Sequence, residues 1–251
     1  ASMTRHSSDE AILFALRQVA NVAQLTITAA RDWSMTGLQQ GQYAADVMVN
    51  DAVTASLGEF GWGILSEESG ASGYKASRPE DLGDDLVVIV DPIDGTRNYV
   101  RGVPVWATLL ALEVEGELQV AVVSAPALGQ RWWASRGAGT FANGELCHVS
   151  HVARLEDAVS STTSPSDMTD TWRAVTARTW TERGFGDFWQ HMLVAEGAID
   201  AAVDAIGLEP YDTAALWPIV TEAGGRITDR LGGNSFRNGS AVSSNGPLHS
   251  A

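Results

Sequence analysis

The residues of this chain best suited to chemistry are acidic side chains at the ends of predicted strands and helices. Residues 91–96 read Asp-Pro-Ile-Asp-Gly-Thr and follow the run Leu-Val-Val-Ile-Val at 86–90. An apolar, β-branched run of this kind is typical of a strand that is buried on both faces. The proline and the glycine cannot extend a ladder, so the chain is expected to turn there. Asp91 and Asp94 can then converge on one point, where a divalent cation offsets their repulsion.

Further acidic residues occupy similar places in the sequence. Glu67 and Glu68 follow a short predicted strand, and Asp212 begins a predicted helix. The backbone N–H groups of Gly95 and Thr96, at another predicted helix start, suit a phosphate oxygen. Taken singly, the glutamates are typical of a solvated loop and Asp212 of an N-cap. Taken as a set, they indicate a metal-assisted reaction on a phosphate ester.

The elements that must position these residues mix helices with strands. Capping signals and helical spacing predict a first helix that opens at Ser7, and continuous or alternating apolar runs predict the strands. The predicted helices span about 7–27, 43–57, 170–180, 187–197 and 211–223. The predicted strands span about 61–66, 86–90, 105–114, 118–124, 130–135 and 199–204. This order indicates a mixed α+β or α/β fold.

The chain is expected to divide into two halves just ahead of a stretch rich in Ser, Thr and Asp. The N-terminal half spans 3–158 and carries Glu67 and the Asp-Pro-Ile-Asp-Gly-Thr motif. The C-terminal half spans 159–251 and carries Asp187 and Asp212. The two predicted halves must therefore meet for all of these acids to share one site.

Composition excludes several functional classes. The 251 residues carry a formal net charge of -15, which disfavours nucleic acid and anionic membranes as partners. We find no apolar run near the ~20 residues that span a bilayer, and no secretory signal. The single cysteine, Cys147, excludes an internal disulfide and fits a reducing compartment. We therefore expect a cytoplasmic protein with neither nucleic acid nor membrane as its partner.

The acidic motifs together resemble those of the inositol monophosphatase superfamily. The matching strings are Glu-Glu at 67–68, Asp-Pro-Ile-Asp-Gly-Thr at 91–96, Tyr-Asp-Thr-Ala-Ala at 211–215 and Thr-Glu-Ala-Gly-Gly at 221–225. The similarity runs from about residue 43 to the C-terminus, and the order and spacing of the motifs match. The resemblance implies a layered αβαβα sandwich, Mg²⁺ as cofactor, inhibition by Li⁺ and a homodimer.

The tryptophans also bear on association. Trp132 and Trp133 are adjacent on a predicted strand, so their side chains must point to opposite faces of the sheet. Burying both requires the core on one side and a helix or a partner subunit on the other.

The resemblance assigns metal ligands to residues of this chain. It implies five of them: the side chains of Glu67, Asp91, Asp94 and Asp212, and the carbonyl group of Ile93. These ligands are expected to hold two Mg²⁺ ions, with Glu68 beside an optional third. All-oxygen ligands also admit Mn²⁺ and disfavour Zn²⁺.

The resemblance assigns catalysis to a positioned water rather than to a protein nucleophile. Asp46 is expected to orient the hydroxyl of Thr96, which with Glu67 positions the attacking water. The chain departs from the family near Asp46, because Tyr43 stands in place of a threonine and the usual preceding lysine is missing, Lys75 being the only lysine. Both departures affect the third metal position and leave the two-metal ligand set complete.

Within the superfamily the chain most resembles the histidinol-phosphate phosphatases, the actinobacterial ones in particular. The similar strings lie at 101–107, 124–128, 131–134, 186–188 and 208–212. The implied substrate contacts are Gly95, Thr96, Asp187 and Asp212. Asp187 is expected to face the ammonium group of the substrate, which a carboxylate suits, although it also reads as a helix cap. Where the family keeps a substrate-contacting glutamate, this chain has Ala205 beside Asp204.

Three functions stay open at the level of sequence. The first is hydrolysis of L-histidinol phosphate to L-histidinol and phosphate, in histidine biosynthesis. The second is that of an inositol-1-monophosphatase or another small-molecule phosphatase built on the same metal core. The third is a non-catalytic relative that keeps the metal site, which the complete ligand set disfavours.

Overall fold

The computed structural model describes residues 2–30, 38–72, 86–164, 166, 168–204 and 206–250, with side chains from Glu10 to Thr28 in the first helix and from Ala44 in the second. Lys75, Ala205 and the side chain of Tyr43 lie outside this part of the chain. Its helices are α1 (Ser2–Ala30), α2 (Leu38–Gly58), α3 (Thr96–Arg101), α4 (Asp170–Thr176), α5 (Asp187–Ala195), α6 (Pro210–Thr213) and α7 (Leu216–Glu222). Its strands are β1 (Gly63–Ser66), β2 (Gly70–Ser72), β3 (Val87–Asp94), β4 (Ala107–Val114), β5 (Glu117–Ala125), β6 (Gln130–Ser135), β7 (Gly139–Ala142), β8 (Glu145–Leu146), β9 (Val159–Thr162), β10 (Thr181–Arg183), β11 (Ala201–Asp204), β12 (Arg226–Thr228) and β13 (Ala241–Ser244).

The strands form two mixed sheets. The first has eight strands in the order β2-β1-β3-β4-β5-β6-β7-β8, in which β1 and β3 are parallel and the other neighbours are antiparallel. The second has five strands in the order β10-β9-β11-β13-β12, with β10, β9 and β11 parallel. The mixed α and β fold class predicted from the sequence is confirmed.

Helices cover the larger sheet on both faces, which explains its continuous apolar strands. Along β3 the side chains alternate: Val88 and Val90 pack with α1 and α2, whereas Val87 and Ile89 pack with α5 and α7. Helices α5 and α7 also contact strands of the second sheet, and Val175 of α4 packs in a further cluster beyond it. The result is the layered αβαβα arrangement.

Several predicted boundaries hold and others move. The hairpin of β4 and β5 is confirmed, and its turn has positive φ at Glu115 and Gly116 (52° and 78°). Helix α1 begins at Ser2 rather than at Ser7. Strand β3 does not end at residue 90 but continues to Asp94, because a register shift lets the ladder pass the proline.

The segment Glu10–Thr28 of α1 is long and apolar enough to cross a membrane by length and composition alone. Polar residues interrupt the apolar run in this segment, and a core helix of a soluble protein passes the same test. One stripe of the segment packs inside the protein against α2 and the larger sheet: Leu16, Val19, Ala20, Ala23 and Ile27.

The two halves predicted from the sequence share one core. The larger sheet uses strands from residues 63–146 and the second sheet uses strands from 159–244. Phe188 and Ile219, from the C-terminal half, pack in one cluster with Ile89 from the N-terminal half. The boundary at residue 158 stays a prediction.

The adjacent tryptophans of β6 point to opposite faces, as predicted. Trp132 is buried in the core, where its ring meets Phe188 edge to face and its Nε1 donates to Glu196 at 2.5 Å. Trp133 is half-buried, and the guanidinium of Arg17 lies 4.2 Å from the centre of its ring. Since α1 covers this second face, burial of the pair requires no partner subunit.

Candidate active site

Two carboxylates lie at the irregular end of β3. The pairing of β3 with β4 shifts register between Asp91 and Asp94. Within this shifted segment the hydroxyl of Thr108, in β4, donates to the carbonyl of Pro92 at 2.8 Å. Helix α3 begins two residues after the strand ends. The chain therefore has a bulged strand end where the sequence predicted a simple turn.

Asp212 and Glu67 reach the same region from other elements. Asp212 is the third residue of α6, and its Oδ2 accepts from the N–H of Glu209 at 2.7 Å in a capping box. It is thus part of a helix cap and is still placed to ligate a metal ion. One carboxylate oxygen each of Asp91, Asp94 and Asp212 lies within 4.8 Å of the others. Glu67 lies in the turn after β1 and lines the same cavity as Asp212.

These carboxyl groups have raised pKa values because burial disfavours their charged forms. The pKa values of Asp91 and Asp94 rise well above the usual range, through burial first and then through the charges of neighbouring acids. Burial raises the pKa of Asp212 to about 7, against the lowering effect of its hydrogen bond from Glu209. Burial also raises the pKa of Glu67. Such a cluster is unfavourable unless protons or a cation neutralise it.

The donor set fits a hard divalent cation. Oδ1 of Asp91 is buried and has no hydrogen-bond partner within the described residues. A buried acceptor without a partner costs about 1–3 kcal/mol, and a bound cation would remove that cost. The clustered side-chain donors are all carboxylate oxygens, which suit Mg²⁺ or Mn²⁺.

Asp46 lies beside the glutamate pair. It is buried on α2, and burial followed by the charges of Glu68 and Glu67 raises its pKa to about 8. The hydroxyl of Thr96 donates to the carbonyl of Ile93 at 2.8 Å. Among the described residues the expected hydrogen bond from Thr96 to Asp46 is absent, because the hydroxyl donates to this backbone carbonyl instead. The same contact occupies the carbonyl that was predicted as a metal ligand.

Asp187 opens α5 in the left-handed region, with φ of 46°. Its Oδ2 accepts a hydrogen bond from Nδ2 of Asn98 at 2.7 Å. Its carboxylate therefore bonds to another side chain and does not cap the helix that it begins. Burial and the charge of Asp204 raise its pKa to about 6. The next N–H, of Phe188, donates to Oδ2 of Asp94 at 2.9 Å. The start of α5 thus joins the predicted substrate residue to the predicted metal residues.

A buried polar group behind this site escaped the sequence analysis. Oδ2 of Asp204 accepts from Nε2 of Gln190 at 2.9 Å and lies 3.1 Å from Nε2 of His191, whose Nδ1 lies 2.8 Å from Oγ of Ser243. The sequence feature that could have predicted these contacts is the Gln-His pair inside the otherwise apolar stretch of a predicted helix. Such a pair indicates polar side chains that face inward. Asp204 itself is held on the wall of the site.

One cavity of about 530 Å³ connects these groups. Its lining includes the predicted residues Glu67, Asp94, Gly95, Thr96, Asp187 and Asp212, together with Asn98, Thr163, Ser164 and Asp204. Asp91, Ile93 and Asp46 are buried and do not line it. The arrangement places an acidic cluster suited to cations and a separate acidic pair, Asp187 and Asp204, around a single space.

Comparison with known proteins agrees with this geometry. The model of the inositol monophosphatase family matches residues 9–251. A histidinol-phosphatase of Mycobacterium tuberculosis is 45% identical over 217 residues, which cover 82% of this chain and 80% of that protein. A histidinol-phosphatase of Streptomyces coelicolor is 46% identical over 175 residues, covering 64% and 65% of the two chains. The crystal structure of the extragenic suppressor protein suhB of Bartonella henselae superposes with a TM-score of 0.81 and 30% identity, over 94% of each chain.

The layered fold and the acidic cavity, taken with these similarities, define the class of the protein as a phosphoric monoester hydrolase. The chain belongs to the inositol monophosphatase family.

Proposed function

We propose that this enzyme is a Mg²⁺-dependent histidinol-phosphate phosphatase, which converts L-histidinol phosphate and water to L-histidinol and phosphate in histidine biosynthesis. The observation that carries the proposal is a single cavity in which a cluster of carboxylates adjoins a second acidic pair, Asp187 and Asp204. The cluster suits cations that attract a phosphate, and the pair suits an ammonium group.

Two Mg²⁺ ions are proposed to be held by Glu67, Asp91, Asp94, Asp212 and the carbonyl of Ile93, with Mn²⁺ as a substitute and Glu68 beside a third. Cations held there would neutralise the charge of the ester and would lower the pKa of the attacking water. The orphaned Oδ1 of Asp91 and the mutual repulsion of the cluster support this assignment. Ile93 can serve once the hydroxyl of Thr96 shares or leaves its carbonyl.

The side chains around the cluster are proposed to position the water and the phosphate. Glu67 and Thr96 lie on the cavity wall, where they can hold the water by accepting and donating hydrogen bonds. Asp46, beside Glu67, is proposed to take the Thr96 hydroxyl when the hydroxyl leaves Ile93. The N–H groups of Gly95 and Thr96 are proposed to donate to the phosphate.

Recognition of the substrate is proposed to depend on Asp187. Its carboxylate already accepts from Asn98 through Oδ2, which orients it on the cavity wall. Asp204, whose Oδ2 is held by Gln190 and His191, adds negative charge close to it. A substrate with an ammonium group would relieve the repulsion between these two acids. The histidinol-phosphatases that resemble this chain support the choice of substrate.

Hydrolysis of inositol 1-phosphate is the second candidate. Asn98, Thr163 and Ser164 line the same cavity and offer neutral hydrogen-bonding groups, which suit the hydroxyls of a polyol. The two candidates therefore differ in whether the acidic pair or these neutral groups select the substrate.

The proposal also covers the oligomeric state and the cellular compartment of the enzyme. The family resemblance supports a homodimer, and the single cysteine supports the cytoplasm. Light scattering at micromolar concentration should report twice the mass of the 26.6 kDa chain. A monomer would remove the dimer from the proposal and leave the reaction untouched.

A phosphate-release screen tests the reaction itself. Histidinol phosphate, inositol 1-phosphate, fructose 1,6-bisphosphate and a 3′-phosphonucleotide are compared at equal concentration with Mg²⁺ and with EDTA. The proposal expects the largest kcat/KM for histidinol phosphate, and loss of all activity in EDTA. Preference for inositol 1-phosphate would replace the first candidate by the second.

A further inference from the structure

A second cavity, of about 370 Å³, lies between α1 and the eight-stranded sheet. Its walls come from α1, the end of β5, the start of β6 and the turn after β7. It shares no lining residue with the active-site cavity. The charged residues in its lining are two arginines, Arg17 and Arg131.

Arg131 is oriented by neutral partners. Its Nε donates to Oγ of Ser124 at 3.1 Å, and its two terminal nitrogens donate to Oδ1 of Asn21 at 2.7 Å and to Oε1 of Gln24 at 3.1 Å. A guanidinium has five N–H donors, so these three contacts leave two of them for another acceptor. Its side chain is thus held in place while part of its hydrogen-bonding capacity is free.

Arg17 lies near Arg131. Its guanidinium stacks on the ring of Trp133, 4.2 Å from the ring centre. Burial and the charge of Arg17 lower the pKa of Arg131. Within the described residues neither arginine forms an ion pair, although the chain carries 31 acidic residues and a net charge of -15. Two like charges are therefore kept together at one place in a strongly acidic protein.

We propose that this cavity, which we call the α1 cavity, binds a small molecule through an oxyanion group, either a phosphate or a carboxylate. The free donors of Arg131 and the stacked guanidinium of Arg17 supply paired N–H groups, which match the two oxygens of such a group. The bound charge would offset the repulsion between the arginines. The cavity's size lies at the small end of the range for ligand sites, so the ligand is smaller than a dinucleotide.

Calorimetric titration of the full chain with inorganic phosphate tests the proposal. The protein is kept in EDTA, so that no cation holds phosphate at the active site. We expect saturable binding of one phosphate per chain in the wild type, weakened at least tenfold in Arg131→Gln and in Arg17→Gln. Arg136→Gln is the matched control, because Arg136 is exposed and paired with Glu117 at 3.4 Å, outside the α1 cavity. This control should bind phosphate as the wild type does.

A second titration with acetate, at the same ionic strength, identifies the oxyanion. Binding of phosphate alone supports a phosphorylated ligand, and binding of acetate that is lost in the same two variants supports a carboxylate. Absence of saturable binding for both anions overturns the proposal, as does equal binding in the wild type and both variants. Melting curves check that each variant folds, and if Arg131→Gln does not, Arg17→Gln on the half-buried face of α1 decides.

Discussion

At the scale of single residues, the active site depends on charges that the protein alone does not neutralise. Asp91 is the extreme case, since it is buried, surrounded by other acids and left with one oxygen that has no hydrogen-bond partner in the described part of the chain. Asp187 is milder, since Asn98 donates to it and its pKa rises only to about 6. We propose that residues of the first kind hold metal cations and that residues of the second kind contact a cationic group of the substrate.

The substitution Asp91→Asn tests the first role. It should cut turnover at saturating Mg²⁺ by at least about a hundredfold, as loss of one preorganised electrostatic group typically does. In metal-free buffer the same variant should melt at a higher temperature than the wild type, because folding no longer buries an acid whose charged form is unfavourable there. Asp51→Asn, at an exposed position of α2, is the control and should change neither value. Near-full turnover of Asp91→Asn would refute the metal assignment.

The substitution Asp187→Asn tests the second role. A charge-assisted hydrogen bond is worth about 1.5–3 kcal/mol, so kcat/KM for histidinol phosphate should fall by about tenfold to over a hundredfold. Hydrolysis of inositol 1-phosphate, which lacks the ammonium group, should change little. Asp170→Asn provides the matched control, since Asp170 also opens a helix but does not line the cavity. Equal losses on both substrates would make Asp187 a structural residue.

At the scale of elements, the join between β3 and α3 sets the geometry of the site. Gly95 connects the strand to the helix with φ of 77°, and a Cβ there would lie 2.7 Å from the carbonyl oxygen of Val105. An alanine can fit only if the strand end or the neighbouring segment moves. Since Asp94 precedes this glycine and Thr96 follows it, that movement displaces two predicted site residues.

Gly95→Ala is therefore expected to impair both stability and catalysis. Gly197→Ala is its matched control, with φ of 72° and a Cβ that would lie 2.8 Å from the carbonyl oxygen of His148, outside the cavity. Each variant should lose roughly 1–3 kcal/mol of unfolding free energy, measured by denaturant titration. Per folded molecule, only Gly95→Ala should lose turnover. Normal turnover in that variant would mean that the join does not position the site.

At the scale of the whole molecule, the acids of the site make stability depend on pH and on metal. Their folded-state pKa values are raised, to about 8 for Asp46 and about 7 for Asp212, from a usual 3.8. The folded protein therefore holds more protons than the unfolded chain between these limits. The stability that these raised pKa values contribute is fully present below about pH 4. It is lost as the pH rises through the raised pKa values.

In EDTA, the unfolding free energy should thus fall by about 2 kcal/mol or more between pH 4.5 and pH 8, while saturating Mg²⁺ should flatten this decline. Asp46→Asn should reduce the slope in EDTA, because its side chain no longer titrates. Thermal melts at several pH values, with and without Mg²⁺, provide the measurement. A metal-free stability that stays level or rises over this range would contradict the arrangement of acids described here.

The sequence by itself determined the mixed fold class, the strand before the Asp-Pro-Ile-Asp-Gly-Thr motif and the acids that cluster. Each depends on local physics: a β-branched apolar run favours a buried strand, and acids at the ends of elements tend to be grouped by the layers that those elements form. Asp94 and Asp212 were predicted together for this reason, and their oxygens lie within 4.8 Å of each other.

Only the tertiary structure decided which distant side chains meet. The contact of His191 with Asp204 and the approach of Arg17 to Arg131 both depend on how helices rotate and slide over the sheets. Side-chain spacing predicts the face on which a residue lies but not its partner across an interface. Those partners are set by the packing of whole layers, because the core is filled as one unit. Each buried polar group then forms hydrogen bonds with the groups that this packing brings close to it.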